Sequence, residues 1–387
     1  MKSELSLDQS RGDESSDAAE LRVAFFSDAL PERNGTGAYY HDLLVHLGGR
    51  VADLAMFQPA LHKRSRVSIA MPGDRGQRLE APHLRAIRRR CSELKPDVVV
   101  VVTPGLYGLL GAWEARRHGA TLIAAFHTDF EQLARMYWNP FARFFANLIL
   151  RTANRIICSA SRSVLINNAG LEDDVRHLGA KRVDLIGTPL APEFLRRPCT
   201  TIARRMERVC FAGRLAPEKN VEHIIDAARE LPQLEFVIGG DGPLADTLRA
   251  RARGLGNVRF AGWLDRGSLI DLIDGASVLL LPSAFETFGS VALEAMARGR
   301  PAVVSVTAGI HAWPELRDGL ISLEDPRDLK ATLEQLLGMG PEDWGERSAA
   351  ARHAAQALNQ RTVDHWLQLL LRYRGPLLPP SPVEPNP

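Results

Sequence analysis

Pro282-Ser283-Ala284-Phe285-Glu286-Thr287-Phe288-Gly289-Ser290-Val291-Ala292-Leu293-Glu294-Ala295-Met296-Ala297 is the stretch around which the chain is organised. Before it runs Val278-Leu279-Leu280-Leu281, four apolar residues ended by a proline, which predicts a buried parallel strand. After it, Val291, Leu293, Ala295 and Met296 predict a helix that Gly299 and Pro301 stop, with Ser290 as its N-cap. A strand, a tight loop and a helix start place backbone N–H groups beside the carboxylate of Glu286. Glu294 follows about one turn into the helix, near the same mouth. Amides suit an anion and carboxylates suit hydroxyls, so the mouth suits a ligand that carries both, as a nucleotide sugar does.

A length of 387 residues allows two domains, each with its own core. The 48 Lys and Arg nearly balance the 46 Asp and Glu, so no nucleic-acid partner is indicated. Cys91, Cys158, Cys199 and Cys210 have neither CxxC nor metal-type spacing and fit a reduced, cytoplasmic protein. Residues 1–20 are polar and acid-rich, a disordered lead-in without the apolar core of a signal peptide. No apolar run approaches the roughly 20 residues that cross a bilayer. The expected location is therefore the cytoplasm, with a peripheral seat at the inner membrane face left open.

Strands and helices alternate on either side of the opening stretch, which argues for α/β architecture with parallel sheets. The first half begins with the strand Leu21 to Ser27, then a loop whose Gly35-Thr36-Gly37 leads into a helix from about Ala38 to Leu47. His83 to Leu94 reads as a basic helix whose Arg85, Arg88, Arg89 and Arg90 either touch acidic lipid headgroups or solvate a helix face. The strands Val98 to Val102 and Thr121 to Phe126 follow, and the second ends in His127-Thr128-Asp129-Phe130. Ligands of open α/β sheets gather beyond the carboxyl ends of strands, which makes His127 and Asp129 candidates. The segment 131–145, rich in aromatics and arginine, suits either a lipid-facing surface or core packing. Arg155 to Ser161 reads as strand then loop, Glu172-Asp173-Asp174 as a solvated loop, and Val183 to Gly187 as a short strand.

The residues Gly187 to Met206 carry no period and are taken as the interdomain linker. A second α/β pattern then restarts with the strands Arg208 to Gly213, Leu234 to Gly239, Val258 to Trp263 and Ala302 to Val306. The domain reading is a tail over 1–20, domains over 21–195 and 196–360, a helix over 361–375 that packs back on the first domain, and a proline-rich tail over 376–387. In the second domain Arg214 and Lys219 are five residues apart in the loop before a helix. Both reach one anion there, and the helix amides add to the same field. A departing diphosphate accumulates charge, and one fixed cation against it contributes roughly 3 kcal/mol to transition-state stabilisation.

These residues also carry a family resemblance. Phe211-Ala212-Gly213-Arg214-Leu215-Ala216-Pro217-Glu218-Lys219-Asn220, Gly239-Gly240-Asp241-Gly242-Pro243, Val258 to Leu264, Pro282 to Gly289 and Leu293 to Pro301 resemble, in order and spacing, the donor-binding domain of retaining GT-B glycosyltransferases. That is the large group of mannosyl- and glucosyltransferases with paired glutamates eight apart, here Glu286 and Glu294. The resemblance implies a GT-B fold, two Rossmann-like doubly wound domains facing each other across a cleft. It implies that Arg214 and Lys219 hold the donor diphosphate, that Glu286 contacts sugar hydroxyls, and that amides around Phe288 and Gly289 contact sugar or diphosphate. Gly240, Asp241 and Gly242 would line the donor, Glu294 would hold the ribose, and Trp263 or Leu264 would lie near the base. His127 would face the reacting centre, Asp129 beside it, and Gly35 to Gly37 would lie under the diphosphate or acceptor.

Enzymes of this kind need no metal bridge and no cofactor, and no DxD motif is present. The partners implied are a nucleotide-sugar donor and a glycan or lipid acceptor. One departure stands out: Thr307-Ala308-Gly309-Ile310-His311-Ala312-Trp313-Pro314-Glu315 keeps the family's Pro-Glu pair but places a His and a Trp before it. The reading is hexose transfer, mannose or glucose, to a hydroxyl. The alternative is a non-catalytic nucleotide-sugar sensor or scaffold on the same fold; a phosphorylase or an epimerase lacks the lysine or acid/base pair it would need.

Overall fold

The structure, a computed structural model, describes residues 18–29, 35–59, 68–71, 74–126, 140–199 and 205–374. The chain divides into two compact units, Met1–Ile186 with Val363–Pro387, and Gly187–Thr362.

The first unit is built on six parallel strands: β1 (Arg22–Phe26), β2 (Asp53–Phe57), β5 (Val98–Val101), β6 (Thr121–Phe126), β7 (Ser163–Ile166) and β8 (Val183–Leu185). They run in the order β2-β1-β5-β6-β7-β8, with a small antiparallel pair, β3 (Ser68–Met71) and β4 (Asp74–Glu80), beside them in sequence. Alternation along each strand divides the core in two, because successive side chains leave opposite faces. Ala24, Phe26, Val99 and Val101 pack under α2 (Leu84–Leu94), α3 (Leu106–His118), α4 (Pro140–Ala160) and α5 (Glu172–His177). Val23, Phe25, Val98 and Val100 pack on the other side, against α1 (Gly35–Leu47) and Trp366, Leu369 and Leu370. Trp366 donates its indole N–H to the Tyr39 hydroxyl at 2.8 Å. Burial raises the Tyr39 hydroxyl far above its ordinary pKa, so it stays protonated.

Three local expectations are corrected here. Arg155 to Ser161 is not a strand: through Ala160 it is the end of α4, where Ile157 is buried and Ile156 is 52% exposed. Adjacent isoleucines suggest a strand locally, yet Ala153 and Ile157, four apart, supply the buried stripe of a helix. Glu172, Asp173 and Asp174 form the first turn of α5, where the helix dipole favours carboxylates. The helix expected from Ala38 already begins at Gly35.

The second unit repeats the scheme with β9 (Arg208–Ala212), β10 (Glu235–Gly239), β11 (Val258–Gly262), β12 (Val278–Leu281), β13 (Ala302–Ser305) and β14 (Leu320–Leu323). All pairs are parallel, in the order β11-β10-β9-β12-β13-β14, so the order reverses between β9 and β12. Sequence reading missed β14: it is a four-residue edge strand, interrupted by Ser322 and paired to β13 alone. Helices α6 (Pro192–Arg196), α7 (Val221–Glu230), α8 (Ala245–Arg251), α9 (Arg266–Asp274), α10 (Ser290–Ala297) and α11 (Leu329–Leu337) connect the strands or flank them. The last helix, α12 (Pro341–Arg372), buries Trp344, Ala351 and Leu358 in the second unit's core and Trp366 in the first's. Arg298 is 1% exposed and spends all five guanidinium donors. It makes two bonds to Asp274, at 2.8 and 2.6 Å, and three to the carbonyls of Phe194, Arg197 and Pro198. A charge can be buried there because every donor is used. No described helix is long and apolar enough to cross a membrane.

Candidate functional site

The crevice at a reversal of strand order is where open α/β sheets take ligands, because loops on its two sides diverge. In the second unit that crevice lies between the loop after β9, which carries Arg214 and Lys219, and the loop after β12, which carries Glu286. The two loops are tied together. Asn220 takes a left-handed φ of 51° just before α7, and its side-chain amide donates to the Pro282 carbonyl at 2.9 Å. The Ala284 amide donates to the Glu218 carbonyl at 2.8 Å.

This brings Lys219 and Glu286, 67 residues apart, into a direct ion pair with side chains 17% and 16% exposed. The Ser283 hydroxyl donates to the same Glu286 oxygen at 3.0 Å. Arg214 is half-buried in the same loop, and Glu294 is half-buried one turn into α10. The expected N-cap, Ser290, is instead the first helical residue. Gly289 holds the cap at a φ of 99°, a left-handed conformation that glycine adopts without strain. Phe288 turns its ring inward, where it is 3% exposed and packs against Trp313, ring centroids 6.5 Å apart. Only its backbone, then, is available to a ligand from that position.

The departure at 307–315 has a defined role. Gly309 N–H donates to the Glu286 carbonyl at 3.1 Å, and Ile310 N–H to the Phe288 carbonyl at 2.9 Å. The turn that carries His311 and Trp313 therefore backs the Glu286 loop, and the His311 ring nitrogen Nε2 lies 3.3 Å from the Val304 carbonyl.

Gly240, Asp241 and Gly242 follow β10, beside β9. Their glycines have a packing reason: a Cβ at Gly240 would stand 1.8 Å from the Gly213 carbonyl oxygen, and one at Gly242 2.5 Å from that of Leu215. Asp241 is exposed and accepts from the Gly242 amide at 2.8 Å. Of the two residues expected near a base, Leu264 packs inward against Gly239, while Trp263 is 65% exposed at the end of β11. His127 and Asp129 lie outside the described residues. Gly35 and Gly37 fall in the first turn of α1, Gly35 exposed and Gly37 buried. Among the described residues no three His, Cys, Asp or Glu are grouped to hold a metal ion.

Sequence reasoning assigned no role to Ser283 or to Asn220. An asparagine immediately before a helix, tolerant of left-handed φ, was the available signal for the second. It also missed Asp28 in the first unit, whose strand order reverses between β1 and β5. There the Asp28 carboxylate accepts from the Thr103 hydroxyl at 2.6 Å and the Tyr107 amide at 3.1 Å, capping α3 from another strand. Burial pushes its pKa up, against those bonds.

Two family models match the chain. Residues 207–339 match the model described as glycosyl transferases group 1, and residues 33–194 the one described as glycosyltransferase family 4. Over 237 residues the chain is 30% identical to a GDP-mannose-dependent alpha-(1-6)-phosphatidylinositol dimannoside mannosyltransferase of Mycobacterium tuberculosis, covering 58% of this chain and 61% of that protein. Over 221 residues it is 34% identical to a GDP-mannose-dependent alpha-mannosyltransferase of Mycolicibacterium smegmatis, covering 55% and 57%. The chain thus matches about three fifths of the length of these relatives. Among solved structures it is similar to sucrose-phosphate synthase from Thermosynechococcus elongatus, with a TM-score of 0.68 at 17% identity over 91% of this chain and 98% of that one. It is also similar to WaaG, a glycosyltransferase of lipopolysaccharide biosynthesis, at 0.63 and 16%, over 89% and 99%. At such identities the likeness is one of fold, the two Rossmann-like α/β domains of the GT-B type.

Proposed function

We propose, from the premise that the chain carries a group 1 glycosyltransferase domain over 207–339 and a family 4 domain over 33–194, that it transfers a hexose from a nucleoside diphosphate sugar to a hydroxyl of a glycan or lipid acceptor. Mannose from GDP-mannose is the donor favoured by the names of its relatives. The observation that carries this reading is the Lys219–Glu286 pair at the strand reversal of the second unit. Each group satisfies the other while the site is empty. A nucleotide sugar offers both a replacement: its diphosphate takes Lys219, and its hydroxyls take Glu286.

The transfer proceeds with retention. The bond from the anomeric carbon to the diphosphate oxygen breaks, the acceptor hydroxyl oxygen bonds to the same carbon from the same face, and its proton passes to the departing diphosphate oxygen. Lys219 and Arg214 hold the charge that grows on that oxygen, which is the step where fixed cations lower the barrier most. Glu286, braced by Ser283 and by the Gly309 amide, orients the sugar. Glu294 takes the ribose, and Trp263 stacks on the base. No metal ion takes part. With a lipid acceptor the enzyme works from a membrane surface, on the cytoplasmic side where nucleotide sugars are held.

The test is a panel of GDP- and UDP-sugars, with nucleoside diphosphate release as the readout, in the presence of a chelator. Release is expected with GDP-mannose and lost in Lys219→Ala and Glu286→Ala. Release unchanged in both variants would sink the site assignment, and tight binding with no release under any acceptor would sink the enzyme reading.

A further inference from the structure

Helices α2, α3 and α4 cover one face of the first unit's sheet, with Ile87, Tyr107 and Ile157 in the shared core beneath them. Their outward side is unusual in two ways. First, α4 exposes three large aliphatic residues within nine positions: Leu148 at 55%, Ile149 at 67% and Ile156 at 52%. Leu148 and Ile156 are eight residues apart, about two helical turns, and Ile149 adjoins Leu148, so the exposed apolar residues share one side of the helix. Second, the exposed charges around the stripe are predominantly positive, although Arg89 pairs with Glu93 and Arg88 and Arg117 lie near the buried Glu114. Arg151 and Arg155 are exposed on α4, whose 21 residues contain no Asp or Glu. On α3, Arg116 and Arg117 are exposed, and its one carboxylate, Glu114, is buried. On α2, Arg85, Arg88 and Arg89 are exposed against one carboxylate, Glu93.

Trp113 joins the two features. It is 44% exposed on α3, with the Arg88 guanidinium 4.6 Å and the Arg117 guanidinium 5.4 Å from its ring centroid. A half-exposed indole between cations suits a boundary that is apolar on one side and charged on the other.

We propose that this outer face of α2, α3 and α4 seats the protein on an anionic lipid bilayer. Leu148, Ile149 and Ile156 enter the acyl boundary, Trp113 lies at headgroup level, and the arginines meet lipid phosphates. The combination selects this occupant over others. Nucleic acid would use the arginines but gain nothing from a stripe of exposed aliphatics, and an apolar protein partner would gain nothing from arginines of one sign. The proposal deepens the lipid-acceptor reading above by naming the surface involved. Its failure is separable from that reading's, because nucleoside diphosphate release from a soluble donor does not need the vesicle.

The experiment is co-sedimentation of the full chain with vesicles of phosphatidylcholine alone, and of equal parts phosphatidylcholine and phosphatidylglycerol, at low and high salt. The chain should pellet with the anionic vesicles only and be released by salt. Each arginine near an anionic surface accounts for about fivefold in partitioning, so R151E/R155E should partition at least about twenty-five-fold more weakly. I149S/I156S should also lose partitioning, while release from GDP-mannose stays at the wild-type rate in both variants. All four side chains are exposed, and a wild-type melting temperature in each variant confirms that the fold is kept. Equal pelleting with both vesicle types, or variants that partition like wild type, would overturn the proposal. So would tight binding of a DNA duplex that needs the arginines but not the isoleucines.

Discussion

Glu286→Gln should tighten the binding of free nucleoside diphosphate while abolishing most sugar transfer. The substitution keeps the volume and an oxygen acceptor for Ser283, and removes only the charge that Lys219 faces. A diphosphate must take Lys219 away from Glu286, so in the wild type part of its binding energy goes to breaking that pair. A hydrogen bond between charged groups contributes about 1.5–3 kcal/mol, and side chains 17% and 16% exposed place this one toward the lower end. Returning about 1.5–2 kcal/mol corresponds to roughly ten- to thirtyfold tighter binding of GDP or UDP. Loss of the carboxylate's bonds to sugar hydroxyls works in the other direction on turnover. Lys219→Met should weaken the same nucleotides and lower turnover by about a hundredfold. Isothermal titration with GDP and UDP, run beside a release assay, reads both effects. If Glu286→Gln binds nucleoside diphosphate no more tightly than wild type, the partner-exchange reasoning is refuted.

Four further outcomes are expected. Gly240→Ala should destabilise the second unit by about 3 kcal/mol or more in urea unfolding, since its Cβ would meet the Gly213 carbonyl and its φ is 123°; a loss under about 1 kcal/mol would contradict this. Trp263→Ala should leave the melting temperature unchanged, because the ring is 65% exposed, yet weaken nucleotide binding by on the order of tenfold through lost base stacking. Trp366→Phe keeps the ring but leaves the buried Tyr39 hydroxyl without its 2.8 Å donor, and should cost about 1–2 kcal/mol in the same unfolding measurement. The fourth concerns pH. Burial raises the Asp28 carboxyl above its unfolded value near about 3.9, so its contribution is full below that value and is lost as pH rises through the folded pKa. Asp28→Asn removes the titration, so its stability relative to wild type should improve as pH rises above about 4; a constant gap would show that burial does not control this carboxyl.

Much of the second unit was legible in the sequence because its signals are local. Val278 to Leu281 is apolar throughout because a central parallel strand is buried on both faces. Lys219 and Glu286 stood out as charges in loops at strand ends. The turn at 307–315 was legible as a departure but not as a support, since its bonds to Glu286 and Phe288 cross from one loop to another. Arg155 to Ser161 misled because two β-branched residues resemble a strand when their buried partner, one helical turn back at Ala153, is left out of the window.

The sequence by itself determined the alternation of strands and helices, the two α/β halves and the loops that hold the charged residues. Those follow from hydrophobic period and turn chemistry within windows of ten to twenty residues, where the chain is its own context. The tertiary structure alone decided which charges meet. The ion pair of Lys219 with Glu286 depends on β12 lying beside β9, where Leu279 pairs with Cys210, 69 residues earlier in the chain, and on Asn220 binding Pro282 across the reversal.

 No local window spans that distance, so the site follows from strand order, which long-range packing sets and local propensity does not.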